Sequence, residues 1–157
     1  MSDFRCIPIA TATAERFRAS GRDDQDNDLR RRSPGPDSNC PCRHCLQYAR
    51  AGQVVLLGSY NLPRPTGVYW TPSPIFVHAD SCPHYERIND IPEIVRGSLV
   101  SVRAYDAEDQ CLYDLGQVSE GTVVDVPLRR ALDDPRTAFV NIHTAKPGCM
   151  LCRVERC

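Results

Sequence analysis

Two Cys-x-x-Cys units stand far apart in this chain: Cys42-Arg43-His44-Cys45 and Cys149-Met150-Leu151-Cys152. The spacing within a unit lets two thiolates converge on one tetrahedral ion at ~2.3 Å, and two units could supply all four ligands. If one ion takes ligands from both, it ties together segments about a hundred residues apart. The chain has nine cysteines among 157 residues, an odd number that suits a disulfide framework poorly. Its first residues carry Asp3, Arg5, Glu15 and Arg16 through the stretch where a secretory apolar core would lie. The expectation is reduced thiols in a cytoplasm, where clustered cysteines bind metal or do redox chemistry.

A net charge of −1 excludes a strongly cationic nucleic-acid binder on bulk charge. The aliphatic runs are as short as Val54-Val55-Leu56-Leu57, far below the ~18 residues of a membrane helix. The partner classes that remain are small molecules, with no nucleic acid and no membrane; the oligomeric state is open.

Composition divides the chain into three parts: a strand and short helix in 1–20, a polar segment in 21–39, and a globular part in 40–157. The middle part holds five aspartates against Arg22, Arg30, Arg31 and Arg32, with Leu29 as its one large apolar residue. Pro34-Gly35-Pro36 opposes regular structure there, so a mobile arm or long surface loop is expected. In the globular part, strands are expected over 53–60, 74–79, 99–105, 111–117, 137–143 and 150–155. Weak helices are expected over 46–51 and 127–132, with a helical turn over 90–96. Many short strands with short helices between them predict an α+β fold: one domain with a mixed, mostly antiparallel sheet.

Further chemistry-bearing residues surround the two units. The run His78-Ala79-Asp80-Ser81-Cys82-Pro83-His84 holds two histidines and a cysteine, which could complete a site with Cys42 and Cys45. On a strand, Phe139, Asn141 and His143 share one face, and Pro147-Gly148 turns the chain to present Cys149 near His143. A Cys–His nucleophilic pair, a metal ligand or a structural thiol all fit Cys149. If Cys42 and Cys45 open a helix, they could instead cycle as a redox dithiol. Tyr69 and Trp70, on a Pro-rich loop, could form an aromatic contact patch.

The segments Pro41 to Leu46, Ala51 to Leu57, Pro74 to Ala79, Ser101 to Asp106, Asp134 to Arg136, His143 to Cys149 and Arg153 to Arg156 carry a family pattern. In their order and spacing the chain resembles the bacterial domain-of-unknown-function family twelve-oh-three. The resemblance implies no reaction, but it places Cys42, His143 and Cys149 within the family pattern. The resulting expectation is a small cytoplasmic zinc-binding protein, an enzyme of unassigned reaction. Cys42, Cys45 and Cys149 would be its core ligands, Cys82 or Cys152 the fourth, and His143 an adjacent acid–base group. The alternatives are a non-enzymatic binding module with a structural zinc, and a thiol oxidoreductase using Cys42 and Cys45.

Overall fold

Alternation of apolar side chains sets the strands and the faces they bury. The computed structural model describes residues 2–36 and 39–157, so Asp37 and Ser38 of the expected polar arm lie outside the described residues. Strand β1 (Phe4–Ile7) is followed by helix α1 (Thr11–Ser20), then β2 (Arg30–Arg32), β3 (Val55–Asn61) and β4 (Pro72–His78). Next come α2 (Glu93–Arg96), β5 (Leu99–Tyr105), β6 (Gln117–Glu120), α3 (Asp125–Asp133), β7 (Phe139–Thr144) and β8 (Met150–Arg156). The fold is α+β, with its strands divided between two sheets where the sequence suggested one. One sheet runs β1-β8-β7-β5-β6 and the other β2-β3-β4. Every named strand pair is antiparallel.

The five-stranded sheet turns Val100, Val102, Ala104, Val140, Ile142 and Val154 into the larger core. Helix α3 answers with Leu128, Ala131 and Leu132, and α2 with Ile94 and Val95. Each fully buried valine, isoleucine or leucine here stabilises the fold by about 1.5–3 kcal/mol. A second apolar cluster holds Ala14 and Phe17 of α1 together with Ile75 and Val77 of β4, Cys42 and Cys45. Helix α1 ends where Gly21 takes a left-handed conformation (φ 65°) and its N–H closes on the Phe17 carbonyl.

Two expected elements differ from those observed. Residues 46–51 are irregular and not a helix, because Leu46 adopts a left-handed backbone (φ 56°) and Cys42 N–H bonds back to the Gln47 carbonyl. The expected strand over 111–117 is replaced by a 3₁₀ turn at Tyr113–Leu115, after which β6 begins. Leu112 and Leu115, three residues apart, both turn toward the larger core, which an alternating strand would not allow.

The segment expected as an arm carries β2, which pairs with β3 through Arg30 to Arg32. Its anchor is Asp23. The buried carboxylate accepts N–H groups from Gln25 and Asn27 at 2.9 Å and from Ser59 at 2.7 Å. Burial alone would raise its pKa, but these donors hold it below the ordinary carboxylate range. Gly58 makes the approach possible, since a Cβ there would overlap a Leu29 methyl group and lie 2.8 Å from the Asp23 Cβ. Asp23→Ala should therefore lower the unfolding free energy by about 1–3 kcal/mol, because buried donors lose a charged acceptor. Limited trypsin digestion provides the local readout: cleavage at the exposed Arg30–Arg32 should accelerate.

Candidate metal centre

Residues 41–48 form a closed knuckle. Pro41 bridges to Tyr48, and the Leu46 N–H returns to the Cys42 carbonyl at 3.0 Å. Left-handed backbone is costly for a branched residue, and glycine is the usual solution there. Here Leu46 is fully buried in the larger core, and that burial holds the turn. The knuckle aims backbone N–H groups at its own sulfurs: Cys45 N–H at the Cys42 sulfur, and Gln47 N–H at the Cys45 sulfur. The knuckle is also bonded to its surroundings on several sides. Arg43 N–H bonds the Phe76 carbonyl of β4, and the Arg43 carbonyl accepts Ile9 N–H at 3.0 Å. The Arg43 guanidinium is 2% exposed and donates to the carbonyls of Met150 at 2.7 Å and Pro41 at 2.6 Å. Burial pushes that guanidinium down to about 10, partly opposed by the nearby cysteines, Cys149 first.

Strand β4 delivers His78 at its end, and the loop beyond it brings Cys82 back. Ligand atoms of Cys42, Cys45, His78 and Cys82 all lie within 4.8 Å of one another. A tetrahedral zinc with Zn–S near 2.3 Å and Zn–N near 2.0 Å needs S···S of about 3.8 Å and S···N of about 3.5 Å. The Cys42 and Cys82 sulfurs are 3.9 Å apart, and Cys45 Sγ lies 3.5 Å from His78 Nδ1. These two separations match that tetrahedron, and the three sulfurs and one nitrogen could hold a metal ion.

The surrounding groups have the polarity such a centre requires. His78 Nε2 faces the Gln53 Oε1 at 3.2 Å, an acceptor, so the neutral ring would carry its proton on Nε2 and offer the Nδ1 lone pair to an ion. His44 is no ligand. Its Nδ1 lies 3.1 Å from the Cys82 sulfur, and the Thr11 hydroxyl lies 2.8 Å from its Nε2. If an ion held Cys82, the His44 Nδ1–H would donate to its sulfur and Nε2 would accept from Thr11. Arg18 donates to the Cys82 sulfur at 3.5 Å and to the His78 carbonyl at 2.9 Å. Its positive charge would offset the net negative charge of three thiolates on a divalent ion, were one bound there. Cys42 is fully buried, and hydrogen bonds from Cys45, then Cys82, pull its thiol well below the ordinary range. The same contact raises Cys45, which donates to Cys42. Without an ion, hydrogen bonds to Cys42, and next Cys82, push His78 up to about 10, so an ion taking Nδ1 would displace a proton there.

Of the cysteines singled out in the sequence, the structure thus brings Cys42, Cys45 and Cys82 together, with His78 as the fourth partner. Cys149 and Cys152 belong to no such group among the described residues. Cys149 sits in the turn between β7 and β8, its N–H on the Thr144 hydroxyl at 3.0 Å. Cys152 lies on β8 and points into the larger core, with its thiol in hydrogen-bond contact with Cys6. In an extended strand, residues three apart are separated by about 10 Å and point to opposite faces, so this Cys-x-x-Cys does not close like the first. His84 stacks obliquely on His44 with ring centres 5.3 Å apart. Trp70 is half-exposed and donates its indole N–H to the Leu62 carbonyl, while Tyr69 pairs with Tyr113 through their hydroxyls at 2.7 Å. The redox reading required a helix starting at the first unit; the left-handed Leu46 leaves no such helix. Among the described residues no helix is long and apolar enough to cross a membrane.

Residues 39–156 match the family model described as Protein of unknown function (DUF1203), so the chain belongs to that family. Comparison with curated proteins and with solved structures gives no match.

His143, expected beside the metal, is packed into the β7–β8 hairpin instead. Its Nδ1–H donates to the Gly148 carbonyl at 2.8 Å, and the ring is 3% exposed. Burial, reinforced by Arg103 and Arg43, pushes it down to about 4. A ring held neutral in the fold but free to protonate near 6.5 when unfolded stabilises above the unfolded value, and this contribution is lost as pH falls toward 4. Between pH 7 and pH 5 the parent should therefore lose roughly 2 kcal/mol more stability than His143→Asn, measured by urea denaturation at the two pH values.

Proposed function

We propose that this DUF1203 protein holds one zinc ion at Cys42, Cys45, His78 and Cys82, and that the ion is a structural staple. The observation that carries this reading is that four protein side chains already converge, enough to fill a tetrahedron. A catalytic zinc keeps one position for water or substrate, whereas structural sites close with four protein ligands. Three thiolates and an imidazole favour zinc over the harder divalent ions. The ion would clamp the knuckle to the end of β4 and the loop carrying Cys82. Binding free energy of such a centre is folding free energy, because the unfolded chain has no preformed site.

A fully buried Cys42 speaks against the thiol-oxidoreductase alternative, which needs a reachable nucleophile. Elemental analysis of protein purified without a metal-affinity tag should give about one zinc per chain, given the tight binding of such sites. Cys82→Ser should bind zinc far more weakly and melt at least ten degrees lower, on the order expected for losing a bound ion's contribution. Cys149→Ser should keep its zinc. Zinc-free parent protein, or a Cys149→Ser variant that loses the ion, would overturn the reading.

A further inference from the structure

A cleft of about 360 Å³ opens between the two sheets, away from the four candidate ligands. That is the small end of the ~300–1,000 Å³ range of small-molecule sites. Ile7, Ile9, Leu62 and Met150 give it apolar walls, and Tyr60, Arg64, Asn141 and Arg153 bring polar groups. No carboxylate lines it.

Three of these polar groups have hydrogen-bonding capacity that the fold leaves unused. Asn141 is 1% exposed; its Nδ2 donates to the Arg64 carbonyl at 3.0 Å, while its Oδ1 is buried without a partner. A buried amide oxygen in that state costs about 1–3 kcal/mol. The Tyr60 hydroxyl has no hydrogen bond among the described residues. Arg153 stands across from Asn141 in the β7–β8 register. Its Nε lies 2.6 Å from a Glu155 oxygen but lacks hydrogen-bond alignment, and its terminal nitrogens donate to nothing among the described residues. Arg64 is held by Asp109 and lies over the Phe139 ring, so it contributes charge without a free fork.

We propose that this cleft binds a small carboxylate with an apolar body and a neutral hydroxyl donor, an α-hydroxy acid with an aliphatic or aromatic substituent. The carboxylate pairs with the terminal nitrogens of Arg153 and accepts from the Tyr60 hydroxyl. The ligand hydroxyl donates to Asn141 Oδ1, satisfying the buried acceptor. The substituent rests on the apolar walls.

The test uses the full-length, zinc-loaded protein, with metal content measured on the same sample so that a failure of the cleft is distinguishable from a failure of the metal site. Mandelate is the probe, titrated while amide NMR shifts are followed. Saturable shifts at β7, β8 and residues 7–10 are expected. Phenylacetate, which lacks the hydroxyl, should bind about tenfold more weakly, matching one lost hydrogen bond to a buried acceptor. Benzyl alcohol and inorganic phosphate should not saturate. Arg153→Gln should abolish the mandelate shifts. Tyr60→Phe, which removes a hydroxyl that the fold does not use, should weaken binding while leaving the melting temperature unchanged. Absence of saturation by mandelate, equal binding of phenylacetate or phosphate, or full binding by Tyr60→Phe would overturn the proposal.

Discussion

The buried Arg43, seated in the middle of the Cys42–Cys45 knuckle, is the contact on which the arrangement of the two sheets depends. Its backbone joins β4 on one side and the β1–α1 connection on the other, and its guanidinium reaches the first residue of β8. A fully desolvated guanidinium is expensive unless its donors are used, and here they meet two backbone carbonyls close to the Cys42 thiolate. Knuckle, five-stranded sheet and three-stranded sheet are therefore held in one geometry. An ion at the knuckle would fix the same joint from the opposite side, through His78 and Cys82.

This joint also explains why the two sheets do not close completely over one another. The larger core lies on the aliphatic face of the five-stranded sheet, against α2 and α3. The opposite face presents Asn141, His143 and Arg153, residues that cannot form a dry interface without partners. His143 finds the Gly148 carbonyl, and Asn141 is only half satisfied. The cleft lies along this polar face, so the same alternation that builds the core also leaves the cleft its polar residues.

Much of the fold is legible in the sequence because alternation is a local signal: β5 spans the expected residues, and β3, β4, β7 and β8 lie within a residue or two of them. The division into two sheets is not legible, since it depends on Arg43 and Asp23 reaching partners far along the chain. Within the centre, Cys42, Cys45 and Cys82 are visible as thiols at ligand spacing, and His78 as the start of a Cys/His run. The pairing of the two Cys-x-x-Cys units misleads because spacing does not report conformation: the first closes around a left-handed Leu46, the second runs from the β7–β8 turn into β8. No local signal marks Leu46 for that backbone, because only its burial in a core built from distant residues supports it. His44 and Arg18 are equally silent in sequence, since their roles rest on which ring nitrogen or guanidinium edge faces Cys82.

The central claim is the identity of the four ligands, and X-ray absorption at the zinc edge of the purified protein tests it most directly. The account requires three sulfur neighbours near 2.3 Å and one imidazole nitrogen near 2.0 Å, with no oxygen neighbour. A shell of four sulfurs, or one with a water oxygen in place of a protein ligand, would contradict it.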